Sequence, residues 1–335
     1  MVDLSRRGFL GSVAAAAAVT YLPTRAEAAL PWCSGAFEDA PDTFAAWCGR
    51  NLGMLLWYTP KGTWSDIANN TASNLDWFIY SRYGSARSEI IVNSYPLFPN
   101  VQNPRQHGMG LWTRAADGEF DSYHRTAASK LKANTRIAGI ASRLVFRIAW
   151  EWNNGSQNWQ CTSLAYASAY RTYYRRVAQI IKAALPGVRI DWSCDRTGRA
   201  EGSLDSYYPG SDVVDFIGLN GYDFWPAFTD QGVWEREYLR TRNNGTFPAG
   251  FGSWLNYAKS KGKLLSIGEW GLIQKDRNGG GDNPLFIRKM LEFCRTNAAN
   301  IAYESYFNKD TSSLLHRLDT TYPNASAEYR RQMAL

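Results

Sequence analysis

Residues 143–159 read RLVFRIAWEWNNGSQNW, and the first half of this stretch predicts a buried β-strand. Its run of branched and aromatic apolar residues is typical of a strand that is covered on both faces. The apolar run ends at Glu151, which stands between Trp150 and Trp152 and is followed by two asparagines and a glycine. Two large aromatic residues therefore flank a single carboxylate at the end of a predicted strand.

Similar apolar runs recur along the chain and alternate with helical patterns. The eight candidate strands are Trp32–Phe37, Met54–Thr59, Glu89–Tyr95, Leu144–Trp150, Arg189–Ser193, Val214–Asn220, Leu264–Glu269 and Ile301–Phe307. Helical patterns cover residues 121–134, 163–185, 284–300 and 324–335. Eight strands alternating with helices predict an α/β fold, a single (β/α)8 TIM barrel. An open doubly wound sheet is the alternative, but no glycine-rich nucleotide loop follows the first strand.

The ends of the predicted strands contain the candidate functional residues, because active sites of such barrels lie at the carboxyl ends of the strands. The fourth strand ends at Glu151. The seventh, KLLSIGEWG (residues 263–271), ends at Glu269, again followed by tryptophan and glycine. The fifth and sixth strands end with further candidates, namely Trp192, Asp195, Asn220, Tyr222, Asp223 and Trp225.

A pair of carboxylates across one pocket predicts cleavage of glycosidic bonds. One carboxyl group must be protonated to assist the leaving oxygen, and the other must be ionised to attack the anomeric carbon. Neighbouring indoles offer flat surfaces to sugar rings and lower the local dielectric constant, which raises the pKa of the acid. The 14 tryptophans of the chain favour the same interpretation. We therefore expect a glycoside hydrolase.

These residues resemble the clan A glycoside hydrolases and, within that clan, glycoside hydrolase family 26, typified by β-mannanases. The stretches that carry the resemblance include residues 146–159 (FRIAWEWNNGSQNW), 213–223 (VVDFIGLNGYD), 267–271 (IGEWG) and 305–319 (SYFNKDTSSLLHRLD). The resemblance implies a retaining mechanism with Glu151 as acid/base and Glu269 as nucleophile. We accordingly expect a retaining endo-β-glycanase whose substrate is a polysaccharide or oligosaccharide.

The resemblance also indicates which residues surround the substrate. It places Tyr222 as a hydrogen-bond donor to the nucleophile and Trp225 in the cleft. The predicted substrate-binding residues are Trp57, Tyr95, Trp150, Trp152, Asn153, Trp192, Tyr222, Trp225 and Trp270. Arg147 shares strand parity with Glu151 and is expected to point into the barrel, where Glu304 would balance its charge.

One position departs from the family's pattern. The mannanases have histidine immediately before the acid/base and other clan members have asparagine, whereas this chain has Trp150. An indole donates one hydrogen bond and accepts none. Trp150 either packs against a sugar ring or, because strand parity sets it opposite to Glu151, points outward between strand and helix. The departure predicts weak activity on β-1,4-mannan and a preference for another glycan.

The first 28 residues have the pattern of an export signal. Arg6 and Arg7 precede Phe9, a short alanine-rich run and a small-residue cleavage motif that ends at Ala28. This resembles a bacterial twin-arginine (Tat) signal peptide, and its apolar run is too short to span a bilayer. We predict a signal peptide over residues 1–28, a catalytic barrel over residues 29–335, the Tat machinery as export partner, a periplasmic or secreted location and no membrane span.

Charge and cysteine content restrict the partners further. The formal charge is +7, and basic residues do not interleave with aromatic ones as in a nucleic-acid groove. We expect no nucleic acid, metal or cofactor, a monomer, and attraction to an acidic polymer. None of the three histidines has metal-ligand spacing, and His124 is expected at the surface. The candidate disulfides join Cys33 to Cys48 and Cys161 to Cys194.

Two other functions use the same barrel. A transglycosylase or an enzyme that processes envelope polysaccharides or exopolysaccharides would need the same two glutamates, and product analysis would separate it from a hydrolase. A non-catalytic glycan-binding barrel would keep the tryptophans and would tolerate loss of a carboxylate. The presence of both Glu151 and Glu269 argues against it.

Overall fold

The computed structural model describes residues 29–83, 88–274 and 276–335, and within them eight parallel strands close a barrel. The described residues form ten strands in all, namely β1 (Ser34–Phe37), β2 (Met54–Tyr58), β3 (Ile90–Tyr95), β4 (Leu144–Ile148), β5 (Arg189–Asp195), β6 (Phe216–Tyr222), β7 (Thr241–Arg242), β8 (Phe247–Pro248), β9 (Leu264–Gly271) and β10 (Ile301–Phe307). The short strands β7 and β8 form a separate antiparallel pair, and the other eight follow one another around the barrel in chain order. The predicted (β/α)8 barrel is confirmed.

Helices surround the barrel and cover its outer face. They are α1 (Pro41–Cys48), α2 (Thr71–Trp77), α3 (Pro104–His107), α4 (Leu111–Ala116), α5 (Asp121–Ala133), α6 (Thr135–Ala138), α7 (Ala167–Ala184), α8 (Gln231–Tyr238), α9 (Phe251–Ser260), α10 (Pro284–Thr296) and α11 (Pro323–Met333). In α7 the buried residues Tyr170, Tyr173, Tyr174 and Val177 recur at helical spacing, so that one face packs on the strands. None of the helices in the described part of the chain is long and apolar enough to cross a membrane.

The inside of the barrel is apolar at its amino end and polar towards its carboxyl end. Met54, Leu56, Val92, Val145 and Phe216 belong to one buried apolar cluster. A polar layer follows, in which Asp191 accepts a hydrogen bond of 2.8 Å from the Ser266 hydroxyl and another from the Tyr303 hydroxyl. Burial raises the pKa of Asp191 to about 6, against the effect of those donors. Arg147 lies beyond this layer, where the candidate site begins.

The two predicted disulfides are absent, although all five cysteines lie within the described residues. Cys48 Sγ instead lies within hydrogen-bond distance of the carbonyl oxygens of Ala45 and Arg50. Cys161 and Cys194 are fully buried, and burial raises the pKa of each thiol. These thiols therefore serve as small core residues. The predicted signal peptide over residues 1–28 lies outside the described residues and stays a prediction.

Candidate active site

The end of β4 departs from strand geometry. The strand ends at Ile148, two residues before the predicted end, and Ala149 and Glu151 have φ angles of 48° and 56°. Such left-handed angles are unfavourable for residues with a Cβ and persist only where the surroundings enforce them. Glu151 N donates a 2.9 Å hydrogen bond to the Ser193 carbonyl oxygen on β5, which anchors this turn. The turn sets the direction of both Trp150 and Glu151.

Trp150 lies at the carboxyl end of the barrel and does not point out towards the helices. Its ring makes an edge contact with Tyr58 at 5.2 Å, and the Arg147 guanidinium carbon is 5.7 Å from its centroid. The Lys61 ammonium stands 4.5 Å from the same centroid, and the side chain of Trp159 packs at 4.2 Å. The outward orientation is therefore wrong, because the left-handed turn breaks strand alternation. At 4% exposure, Trp150 forms a packed wall beneath Lys61.

Glu151 is a half-buried carboxyl group that accepts hydrogen bonds from two side-chain amides. Asn220 Nδ2 donates to Glu151 Oε1 at 2.9 Å, and Gln157 Nε2 donates to Oε2 at 2.5 Å. Burial and then the charge of Glu269 raise the pKa of Glu151 to about 8, while the Asn220 hydrogen bond works in the opposite direction. At neutral pH this carboxyl group is therefore mostly protonated and able to donate a proton.

The pKa of Glu269, in β9, is shifted in the opposite direction to that of Glu151. Arg147 forms an ion pair with its Oε1, and the Tyr222 hydroxyl donates to its Oε2 at 2.8 Å, as predicted for Tyr222. Burial alone would raise the pKa of Glu269, but the charge and hydrogen bond of Arg147, helped by the hydroxyls of Tyr58 and Tyr222, bring it below its ordinary value. Gly268 makes room for this pair, because a Cβ there would lie 2.6 Å from Arg147 Nη1. Glu269 is thus ionised at neutral pH.

The predicted partnership of Arg147 with Glu304 is wrong. On β10, Tyr303 points into the barrel and reaches Asp191, so the next side chain must face the opposite side. Glu304 accepts hydrogen bonds there from the indole nitrogens of Trp270 at 2.5 Å and Trp32 at 3.4 Å. Glu304 is therefore a buried acceptor between the strands and the outer helices, and Glu269 is the residue that balances Arg147.

Three tryptophans that we expected to contact substrate lie in the core. Trp152, Trp192 and Trp270 are each 0% exposed. Trp152 stacks on Trp192 with centroids 5.5 Å apart, and Trp192 Nε1 donates to the Tyr170 hydroxyl at 2.8 Å. Trp270 faces Glu304 on the outer side of β9. Trp152 and Trp270 each flank a glutamate in sequence, which puts their indoles on the face opposite to the carboxylate, and Trp192 is buried beside Trp152.

Three further substrate contacts are also contradicted. Asn153 is buried and exchanges two 2.8 Å hydrogen bonds with the backbone of Asp195. Tyr95 is buried, and its hydroxyl lies 2.9 Å from His124 Nδ1, which also shows that His124 is a core residue and not a surface one. Trp57 stacks on Phe78 outside the barrel at 4.6 Å. All three stabilise the shell around the barrel.

Trp225 remains a candidate for sugar stacking. Its side chain is 53% exposed in the loop after β6, next to Phe224. It lines a cavity of about 610 Å³ together with Asn154, Arg196 and other residues of the β5 and β6 loops. An exposed indole beside an open cavity is the surface on which sugar rings stack, so Trp225 keeps its predicted role as a proposal.

Sequence reasoning missed four residues at the site. Tyr58 packs on Trp150, and burial, followed by the charge of Glu269, raises the pKa of its hydroxyl. Its parity with Met54 and Leu56 indicates an inward direction. Lys61 and Gln157 lie in loops without any periodic signal. Burial lowers the pKa of Lys61 to about 8, although Glu269 and Glu151 both oppose this.

The fourth missed residue is His316. Its Nδ1 donates to the Leu272 carbonyl oxygen at 2.8 Å, and its ring lies 5.4 Å from that of Tyr222. Burial lowers the pKa of His316, so that the ring is neutral at pH 7. The residue belongs to the stretch of residues 305–319, but nothing in that stretch indicates that it reaches the sixth-strand tyrosine.

Comparisons with known proteins point to one kind of barrel. No family model matches the chain. A mannan endo-1,4-beta-mannosidase of Bifidobacterium adolescentis is 23% identical over 193 residues, which are 56% of this chain and 18% of that protein. The chain thus spans about a fifth of the length of this curated relative.

Solved structures agree over almost the whole described chain. The GH26C protein of a Muricauda species superposes with a TM-score of 0.62 at 15% identity and covers 91% of this chain and 85% of its own. A Cellulomonas fimi endo-beta-1,4-mannanase gives 0.61 at 18% identity, covering 90% and 70%. A GH26 beta-mannanase of Bacteroides ovatus gives 0.58 at 14% identity, covering 90% and 87%. The chain has a (β/α)8 fold of the glycoside hydrolase family 26 kind.

Proposed function

We propose that the chain is a retaining endo-β-glycanase in which Glu151 is the acid/base and Glu269 is the nucleophile. One observation carries this proposal. A half-buried glutamate just after the fourth barrel strand and a buried one near the end of the seventh have surroundings that move their pKa values in opposite directions. Two titratable groups whose pKa values are pushed apart are the mark of an acid and a base or nucleophile that work together.

In the first step, the Glu269 carboxylate attacks the anomeric carbon while Glu151 gives its proton to the glycosidic oxygen. The bond between the anomeric carbon and that oxygen breaks, and the shortened glycan leaves as an alcohol. A glycosyl ester on Glu269 remains. The pKa of Glu151 near 8 keeps the proton available at neutral pH, and the ion pair with Arg147 keeps the nucleophile ionised.

In the second step, Glu151 acts as a base. It is now a carboxylate that takes a proton from water, and the water oxygen attacks the anomeric carbon and releases Glu269. Esterification removes the negative charge of Glu269, which had raised the pKa of Glu151. Glu151 is therefore protonated in the first step, as an acid must be, and its carboxyl group ionises more readily in the second step, as a base must.

Arg147 and Tyr222 position the nucleophile. Their donors hold both oxygens of Glu269, so that the carboxylate has one orientation towards the cleft. Lys61 adds a positive charge that interacts with both glutamates from above Trp150 and Trp159. This cation favours the ionised forms of both carboxyl groups and offsets part of the repulsion between them.

The names of the relatives support a β-glycan as the substrate. The curated relative acts on β-1,4-mannan, and two of the structural neighbours are named mannanases. In this chain Trp150 is packed under Lys61 and presents no acceptor, so we keep the proposal that β-1,4-mannan is not the preferred substrate. The Tat export and the periplasmic or secreted location belong to the same proposal, as does the monomer.

The test combines a substrate panel with a stereochemical readout. Wild-type protein is incubated with β-mannans, β-glucans, xylans and bacterial exopolysaccharides, and the anomeric protons of the first products are followed by NMR. The proposal expects β-configured products at early times. Products of the α configuration would indicate inversion. Transfer of the cleaved glycan to an added sugar alcohol, without formation of new reducing ends, would indicate a transglycosylase.

Azide rescue assigns the two roles. Glu151→Ala should lose most activity and regain part of it with sodium azide, which enters the vacated space and attacks the glycosyl intermediate without needing a base. The product from Glu151→Ala should be a β-glycosyl azide, whereas Glu269→Ala can yield only an α-glycosyl azide, because azide there attacks the anomeric carbon directly. A β-glycosyl azide from Glu269→Ala and an α-glycosyl azide from Glu151→Ala would show that acid and nucleophile are exchanged.

A further inference from the structure

Arginines line the cavity beside the candidate active site. The cavity of about 610 Å³ opens at the carboxyl ends of β5 and β6. Its charged lining residues are Arg196, Arg199, Arg240, Arg242 and Glu237. Four positive charges face one negative charge, so the cavity has a net charge of about +3 from its lining groups.

Most of these positive charges have no carboxylate bound to them. Glu237 forms an ion pair with Arg240 at 2.9 Å. Within the described residues, Arg196, Arg199 and Arg242 have no carboxylate within ion-pair distance. Asp195 lies near them, but its oxygens accept hydrogen bonds from Asn154 at 2.6 Å and from Thr197 at 2.6 and 2.9 Å. Asp195 and Glu237 act on Arg196 and Arg242 at longer range and offset part of their charge, but the cavity keeps an excess of positive charge with no described carboxylate bound to these arginines.

Two of the arginines are fixed in place by backbone carbonyl oxygens. Arg242 donates to Thr197 O at 2.9 Å and to Arg196 O at 2.6 Å, and Arg196 donates to Phe224 O at 2.7 Å. Burial lowers the pKa of Arg196 to about 10 and lowers the pKa of Arg242. Burying neighbouring cations without anions is costly, and a bound anion removes much of that cost.

The side chain of Arg199 has no structural role that would explain an arginine at this position. Its side chain is exposed, and in the described part of the chain it makes no hydrogen bond or ion pair. Its backbone N donates to Asn153 O at 2.8 Å, which fixes the position of the residue while the guanidinium stays available. A guanidinium presents parallel N–H donors that match the two oxygens of a carboxylate.

The cavity lies beside the catalytic end of the barrel, three residues along the chain from Glu151. Asn154 lines it, and the backbone N of the same residue donates to Glu151 O at 2.9 Å. Trp225 stands at the cavity with 53% of its side chain exposed. A sugar ring on Trp225 would place its substituents against the arginines, within one glycan chain that also reaches Glu151.

We propose that this cavity binds a sugar unit that bears a carboxylate and belongs to the glycan that the active site cleaves. The inference rests on the proposed glycanase function and names its substrate class, a uronic-acid-containing polysaccharide. The arginines recognise the carboxylate, and Trp225 holds the ring that carries it.

The test uses two oligosaccharides that differ only at C6. Hexamers of β-1,4-linked mannuronate and of β-1,4-linked mannose share their backbone and linkage, and only the former has carboxylates. Binding of each is measured by calorimetry at 50 and 500 mM NaCl on a Glu269→Gln background, which prevents turnover. Two further variants are compared on that background. Arg199→Gln removes a cavity arginine, and Arg330→Gln removes the same charge from the exposed surface of α11.

The expected result has three parts. The acidic hexamer binds about tenfold more tightly than the neutral one at 50 mM NaCl, and the difference shrinks at 500 mM. Arg199→Gln weakens binding of the acidic hexamer by about five- to tenfold and leaves that of the neutral hexamer unchanged. Arg330→Gln changes neither by more than about twofold. The melting temperature of Arg199→Gln stays that of its parent.

Other outcomes overturn one idea or the other. Equal binding of the two hexamers, or equal effects of Arg199→Gln and Arg330→Gln, would refute the acidic subsite. Cleavage of neutral β-glycans by wild-type protein in that case would leave the proposed function standing. Arg199-dependent binding of the acidic hexamer, combined with no turnover of any acidic or neutral glycan by wild-type protein, would refute the proposed function and keep the acid-binding cavity.

Discussion

Neutralising Glu269 should lower the pKa of its partner Glu151. In the folded protein, burial and the charge of Glu269 together raise the pKa of Glu151 to about 8. Glu269→Gln removes the charge and keeps the shape of the side chain. Carboxyl groups of retaining glycosidases are about 5.5 Å apart, and two unit charges at that distance repel by about 3 kcal/mol at an effective dielectric constant of 20. One pH unit corresponds to about 1.4 kcal/mol, so the pKa of Glu151 should fall to about 6.

The measurement is a carboxyl titration by NMR. Protein labelled with ¹³C at the side-chain carboxyl carbon of glutamate is titrated from pH 4 to pH 10, and the Glu151 resonance is assigned by its loss in Glu151→Gln. Wild-type protein should show a midpoint near 8 for this resonance. The Glu269→Gln variant should show about 6, still above the ordinary value because burial remains.

Glu304→Gln is the matched control. Glu304 is a second buried carboxyl group whose pKa burial raises to about 7, but it lies on the outer face of β10 and does not contribute to the shift of Glu151. Its substitution should leave the Glu151 midpoint unchanged. A wild-type midpoint near the ordinary glutamate value, or a midpoint that does not respond to Glu269→Gln, would refute the assignment of acid and nucleophile from their surroundings.

Three further predictions concern the same site. Arg147→Met should lower kcat/KM at least about 1000-fold and the free energy of unfolding by about 3–5 kcal/mol, because it leaves buried Glu269 without its cation; near-normal turnover would contradict this. Trp225→Ala should raise KM about tenfold with little change in kcat, whereas Trp152→Ala should leave KM unchanged and lower the free energy of unfolding by about 3–5 kcal/mol in denaturant titrations; the reverse pattern would restore Trp152 as a substrate contact. Glu151→Gln should stabilise the protein at high pH but not at low pH, because the raised pKa of Glu151 lowers the stability of the wild type progressively from about pH 4.5 to pH 8. The gain in melting temperature of the variant should therefore grow over that interval and stay constant above it, and a gain independent of pH would contradict a raised pKa.

The amino-acid sequence by itself determined the barrel and the two glutamates. A strand that is buried on both faces must be a continuous apolar run, and eight such runs mark the eight barrel strands to within a few residues. Because all strands of the barrel are parallel, their carboxyl ends meet at one end of the fold. Glu151 and Glu269 stand at the carboxyl ends of predicted strands, and this alone was enough to bring them to the same end of the barrel.

The sequence did not determine which aromatic residues face the cleft. Strand parity predicts side-chain direction only while the backbone stays extended, and Ala149 and Glu151 leave the extended region. Trp150 turned inward as a result. Trp152 and Trp270 went to the outer face, where the helices bury them. The abundance of tryptophan next to the glutamates thus reflected core packing more than sugar binding.

Only the tertiary structure decided the electrostatics. Arg147 and Glu269 are 122 residues apart, and their pairing depends on the register of β4 and β9 within the closed barrel. The arginine cavity is assembled from Asn154 and three further segments, residues 196–199, 224–226 and 237–249, none of which is basic enough to attract notice alone. A pKa depends on burial and on charges nearby in space, and these charged groups come close to one another only when the barrel closes.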